Sequence, residues 1–202
     1  MATEAPETGA DAVRNGHLSV TGPRYRRSMN FATTSAFTAA LVADGPAPES
    51  SVYARGFGSL VGSWAVTGRR LDEASGEWTQ REFTWIVSFI LGGHAIQDVE
   101  VVPSDADPEV METLATGVRV YDPDAGVWRV SFFAPQTGDF CHLVASTHRD
   151  GIRQDGSQTD ERPIRWNFSA ITETSYVWDA WVSNDDGRTW ELTEHNEAVR
   201  LS

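Results

Sequence analysis

The stretch His94-Ala95-Ile96-Gln97-Asp98-Val99-Glu100 holds the residues whose spacing first suggests chemistry. Alternate side chains of an extended strand share a face, so His94, Asp98 and Glu100 fall on one side. His94 and Asp98 stand about 13 Å apart at ~3.3 Å per residue, too far for direct contact. In an apolar cavity Asp98 would hold its proton more tightly and could act as a general base. Its plainer role is a cross-strand ion pair with Arg119 or Arg129, and that role is preferred. Gln97 lies on the opposite face; turned inward, it would offer a ligand a neutral hydrogen-bonding group. His142 is a third catalytic candidate beside Asp98 and His94. It adjoins Cys141, but strand neighbours point to opposite faces, so the two are no nucleophile–base pair. Cys141 reads as a small buried apolar residue. His142 and His148 share a parity at a wide spacing. Neither His-x-His nor His-Glu-x-x-His occurs, and no metal site or cofactor is expected. A haem needs a single axial histidine, so haem stays open.

The aromatic residues form a clearer pattern. The chain has 8 tryptophans, seven of them in or beside strand-like runs. Trp166 and Phe168 share one face, Trp128, Val130 and Phe132 another, and Tyr176 and Trp178 a third. With Trp85 and Tyr121, these aromatic positions would line the inside of a β structure. They would bind a flat apolar molecule through area and stacking. The competing picture is a filled core with no cavity.

These residues need strands to position them. From Gly58 onward the polar–apolar period is mostly two. Runs at 58–70, 78–90, 94–102, 117–121, 127–134, 140–147, about 148–154, 163–170, 175–183 and 188–201 are separated by short turns. Leu91-Gly92-Gly93 and Asp122-Pro123-Asp124-Ala125-Gly126 are the clearest hairpin turns. The pattern predicts an all-β fold: about ten antiparallel strands closed up-and-down into a barrel, which leaves no exposed edge. Ser183-Asn184-Asp185-Asp186-Gly187-Arg188-Thr189-Trp190 looks like the Asp-box of sialidase propellers. It occurs once, so it predicts a turn folded by Asp185 rather than a propeller. Residues 1–55 read as an N-terminal extension to a barrel at 56–202. The first thirty residues of that extension suit disorder. Residues 31–43 suit a short helix in which Phe37 and Leu41 share a face. That helix would mainly pack, or it would cover a cavity mouth.

Composition bounds the partners. The chain has 202 residues, a formal net charge of −13 and one cysteine. Such an acidic balance argues against nucleic acid and anionic membranes. One cysteine permits no intrachain disulfide. No apolar run of membrane-spanning length and no secretory signal is evident, so a cytoplasmic location is expected.

Gly62-Ser63-Trp64 in the first strand and Arg200 in the last resemble the signature of the calycin superfamily, which includes lipocalins and fatty-acid-binding proteins. The resemblance implies that Trp64 plugs one barrel end with Arg200 laid across it, both in structural roles. An arginine suits this place because it stacks on an indole while bonding backbone carbonyls. Leu60 to Trp64, Ile90 to Val99, Val120 to Pro123 with Trp128, and Arg165 to Phe168 also resemble an uncharacterised bacterial group of calycin-like proteins. That likeness spans roughly residues 56–201. It implies a fold and a central cavity but no particular chemistry, because such barrels host carriers and cofactor-free enzymes alike. Binding of an apolar or aromatic small molecule is the leading expectation. A cofactor-free cyclase or isomerase for a natural-product intermediate is the alternative, and a structural, dimerising barrel the third.

Overall fold

The computed structural model describes residues 31–48, 52, 53, 55–149 and 151–201. The first thirty residues, read as disordered from sequence, lie outside the described residues. A helix α1 (Phe31–Leu41) is followed by a two-residue strand β1 (Val42–Ala43). Ten longer strands come next: β2 (Gly62–Asp72), β3 (Glu77–Ile90), β4 (Ala95–Pro103), β5 (Met111–Asp122), β6 (Val127–Ala134), β7 (Asp139–His148), β8 (Gly151–Ser157), β9 (Pro163–Ser169), β10 (Ser175–Val182) and β11 (Glu191–Arg200). Each pairs antiparallel with its chain neighbour. β11 returns to β2 along Arg200↔Trp64 to Glu194↔Arg70, which closes an up-and-down barrel. Closure leaves no long edge to template aggregation.

Two bulges adjust the inner wall. β5 carries an extra residue, Leu114, opposite the Glu100/Val101 step of β4. β11 carries an extra Thr193 opposite the Ala180/Trp181 step of β10. A bulge re-aims a side chain that strict alternation would turn away. Both extra residues line the interior near one rim.

At that rim, short turns close themselves with local bonds. The Asp72 carboxylate accepts from the Ala74 and Ser75 amides at 2.9 and 3.2 Å, which holds its pKa below the usual carboxylate range. Asp185 accepts from the Thr189 amide and hydroxyl, each at 2.7 Å, while Ser183 Oγ accepts from the Gly187 amide at 2.7 Å. The Asp-box is thus a turn device. Arg162 ties three turns of this rim together. It donates to Glu73 at 2.6 Å, to Asn184 at 3.1 Å and to Asp160 at 2.6 Å.

The opposite end is sealed. Trp64 is fully buried, and its indole N–H donates to the Leu60 carbonyl at 2.8 Å. The Arg200 guanidinium lies 4.0 Å from the Trp64 ring centroid. Arg200 also donates to the carbonyls of Val61, Ser59 and Glu173 at 2.8, 3.0 and 2.6 Å. Gly62 makes this possible: at φ +136° a side chain is strained, and a Cβ there would lie 2.3 Å from Arg200 Nη1. A single-turn 3-10 helix at Gly56–Leu60 precedes β2, so the first strand starts at Gly62 rather than Gly58.

The segment before the barrel completes the seal. Tyr53 and Phe57 are buried, and Phe57 meets Trp128 edge-on at 5.3 Å and Phe168 at 6.0 Å. The Tyr53 hydroxyl accepts from the Tyr121 amide at 3.1 Å. Ala47 donates to the Gly93 carbonyl at 3.1 Å. β1 pairs with Phe89 and Ile90 on β3, just past the point where β2 leaves that edge. Residues 31–43 therefore sit at the closed end. They do not cover the mouth, which corrects the lid expectation.

Removing a large buried aromatic costs its transfer energy plus a cavity. Phe57→Ala should therefore lower unfolding free energy by about 3–5 kcal/mol in urea titration. A loss below about 1 kcal/mol would place Phe57 outside the cooperative core.

Candidate functional site

Between the sealed end and the open rim lies a cavity of about 530 Å³. It is built by strand parity. On β3, Trp85 points inward, so Phe83 and Arg81 do as well; on β4, Asp98 and Glu100 follow the same rule. Trp166 and Phe168 come from β9, Tyr176 and Trp178 from β10, and Phe132 from β6.

The rings form two tiers. Toward the rim, Phe132 meets Trp166 edge-on at 5.2 Å, and Trp166 meets Trp178 at 5.6 Å. Below them, Trp85 stacks on Phe168 at 5.7 Å, and both rings contact Tyr176, at 5.6 and 5.4 Å. The lower tier rests on the plug, with Tyr176 4.9 Å from Trp64. The lower rings are buried, whereas the upper ones keep faces open to the cavity.

Charges occupy the remaining wall. Asp98 and Arg119 form a buried ion pair, 2% and 5% exposed. Gly117 leaves room for it, since a Cβ there would lie 2.9 Å from Asp98 Oδ2 and 3.3 Å from Arg119 Nη1. Arg119 also lies over the Phe57 ring at 4.9 Å. Higher up, Arg81 bridges two carboxylates: Glu100 at 3.1 Å and Glu194 in a close ion pair. Glu194 further accepts from Asn196 Nδ2 at 2.8 Å. Burial pushes the Glu100 carboxyl up to about 7. Arg81 opposes this shift, while Glu194 and Asp98 add repulsion. Burial also pushes the Cys141 thiol up to about 12, which makes it a poor nucleophile at neutral pH. The Tyr176 hydroxyl is raised too, by burial and by the charges of Asp98 and Glu100.

Six aromatic residues expected to contact a ligand line this cavity: Trp85, Phe132, Trp166, Phe168, Tyr176 and Trp178. Three others do not. Tyr121 and Trp128 point inward but pack at the closed end, 6.4 and 5.0 Å from Tyr53, because the preceding segment fills that space. Gln97 faces outward and donates to Thr116 Oγ1 at 3.0 Å. Among the catalytic candidates, only Asp98 reaches the cavity, and it does so paired with Arg119. His94 precedes β4 in an α-like conformation, exposed at the closed end, so it shares no strand face with Asp98. His142 is exposed on the outer wall, 3.3 Å from Ser131 Oγ. Among the described residues, no group of three or more His, Cys, Asp or Glu side chains could hold a metal ion. Arg81, Glu194 and Asn196 were missed. Parity carried to them from Trp85 and Arg200 would have found all three.

No family model matches the chain, and no curated protein matches it. Among solved structures it resembles the S-type phycobiliprotein lyase CPES from Guillardia theta. The TM-score is 0.51 at 11% identity, over 72% of this chain and 90% of that one. The fold is calycin-like. At this identity the likeness is one of fold, and the chemistry of the calycin-like barrel rests on its own side chains.

Glu100 sets a test of the site's electrostatics. Its folded pKa lies above the unfolded value, so the native state binds the proton more readily. Its effect on stability is absent below about pH 4.5, grows unfavourably as pH rises to about 7, and is constant above. The full effect is on the order of 3 kcal/mol. Glu100→Gln should match the parent near pH 4.5 and exceed it at pH 8 in urea unfolding. Parallel pH profiles for the two proteins would contradict the raised pKa.

Proposed function

We propose that the barrel binds a small molecule with a flat apolar body and a polar group. The observation that carries this reading is the cavity itself: about 530 Å³, open at one end, with two aromatic tiers and a polar cluster on one wall. Its volume falls within the range of small-molecule pockets, which pair apolar lining with a few placed polar groups. The upper rings keep open faces on which a planar ligand would stack. The fold neighbour is named a phycobiliprotein lyase, which is in keeping with a small-molecule role.

One observation favours a second reading, a cofactor-free cyclase or isomerase. A carboxyl near pKa 7 inside an apolar cavity is poised to take and return a proton at neutral pH. Arg81 would hold Glu100 in place, and the aromatic tiers would fold a flexible substrate over it. In this reading Glu100, not His94 or His142, moves the proton. NMR titration of the Glu100 carboxyl supports the reading if the midpoint lies near 7; a midpoint near 4.5 removes it.

The binding reading is tested by filling the space. Ala180 lines the cavity wall and is buried. Ala180→Phe should lower the affinity of a neutral naphthyl probe, read by tryptophan quenching, at least tenfold while the melting temperature stays within a few degrees. Unchanged affinity in a folded variant would show that the probe binds elsewhere.

A further inference from the structure

The charges in the cavity do not balance. Its deep part holds three carboxylates, Asp98, Glu100 and Glu194, against two guanidiniums, Arg81 and Arg119. Nearer the rim the account is neutral or spent locally. Arg70 is shared between Asp139 at 3.4 Å and Glu194 at 3.9 Å, Asp72 caps its own turn, and Glu73 is held by Arg162. Among the described residues, no lysine or histidine lines the cavity. Asp139 and the three deep acids thus share three guanidiniums, Arg70, Arg81 and Arg119, and one negative charge is left in excess.

The two guanidiniums are committed. Arg119 is paired with Asp98 and lies between the rings of Phe57 and Trp85, at 4.9 and 5.8 Å. Arg81 is divided between Glu100 and Glu194 and lies 4.7 Å from the Phe83 ring. An anionic ligand would have to break one of these buried pairs, which is costly. A positive ligand meets the opposite situation. Glu100 pairs across the strands with Trp85, so surplus charge and an aromatic ring stand side by side. Ring faces attract cations, and the attraction grows where water is excluded. Asn196 lines the cavity at 3% exposure, spends its amide N–H on Glu194, and leaves Oδ1 without a donor. Arg119 Nε is left without an acceptor in turn, so the imbalance a ligand meets is one of charge.

We propose that the cavity selects a monocation, a protonated amine on a flat apolar body, with its positive centre at Glu100 and Glu194 and its body between the aromatic tiers. This rests on the ligand-binding reading above and specifies the class of ligand. The cation supplies the counterion that the protein lacks. The groups facing Glu100 are Arg81 from β3, Asp98 from its own strand, Arg119 from β5, Tyr176 from β10 and Glu194 from β11. Burial shifts Glu100 into the neutral range, and protonating it removes the surplus charge. Cation affinity is then full above about pH 7 and falls as pH drops through it.

The test uses three probes of one shape: 2-naphthylmethylammonium, 2-naphthylmethanol and 2-naphthylacetate. Each is titrated into the protein and followed by tryptophan fluorescence and calorimetry. The ammonium should bind at least tenfold tighter than the alcohol, and the acetate more weakly than either. Between pH 8 and 6 the ammonium should lose about tenfold in affinity, as one group titrating near 7 requires, while the alcohol stays unchanged. Glu100→Gln should erase both the ammonium's advantage and its pH dependence, leaving the alcohol's affinity intact. Should that variant fail to fold, the pH comparison on the parent protein decides alone. Alcohol or acetate binding as tightly as the ammonium overturns the charge selection and leaves the ligand-binding reading standing. A pH-independent ammonium affinity in the parent, or one that survives Glu100→Gln, also overturns it. No binding by any probe overturns both.

Discussion

Charge held beside aromatic rings, away from water, is the constraint on which the interior of this barrel depends. Taking an ion from water into a protein interior costs several kcal/mol unless partners replace the lost hydration. Asp98 and Arg119 meet that cost as a pair, with Gly117 giving up its side chain so that they can approach. Arg81 does so for two acids at once, Glu100 and Glu194, and does so incompletely, because its help at Glu194, Arg70 at 3.9 Å, is itself shared with Asp139. Burial raises the Glu100 pKa, Arg81 opposes it, and the repulsion of Glu194 and Asp98 adds to it. Stability alone would favour apolar groups at these positions, since well-packed hydrophobic replacements of buried ion pairs are often neutral or stabilising. The cluster is better understood as a place where stability yields to function.

The sealed end makes such an interior tolerable. Arg200 satisfies three carbonyls and stacks on Trp64, while Tyr53 and Phe57 fill the space beneath the lower ring tier. Rings in the floor therefore rest on rings in the plug, and the cavity has a firm base. The rim lacks such long-range packing. Asp72 and Asp185 fold their own turns, and the ties between turns are polar bonds, from Arg162 to Glu73 and Asn184, from Thr159 to Gly138 and from Arg70 to Asp139.

Much of this was legible in the residues. Period-two alternation revealed the strands, and Gly62, Trp64 and Arg200 together pointed to a calycin-like barrel. Strand parity also carried the aromatic wall, since Trp166 with Phe168 and Tyr176 with Trp178 share faces that turn inward. What escaped depended on contacts distant in sequence. Nothing local distinguishes Trp128 from Trp166; Tyr53 and Phe57, arriving from outside the repeating pattern, bury the first and not the second. Gln97 and Asp98 are adjacent, and a face choice that parity alone left open decided which entered the cavity. His94 left its predicted face because Leu91–Gly93 tightened into a 3-10 turn that pushed the strand's start to Ala95. Glu194 was hidden for another reason. A bulge one residue earlier, at Thr193, breaks the alternation when it is read onward from Trp190, and only counting back from Arg200 keeps Glu194 on the inner face.

The self-contained rim turns have an evolutionary consequence. Turns that satisfy their own backbone through one aspartate can be lengthened or exchanged without disturbing the strands they join. The plug cannot be altered so freely, because its residues are shared among many strands. Lineages carrying this barrel would thus diversify at the mouth while the base stays constant, and new ligands would be acquired by rewriting loops around an unchanged floor.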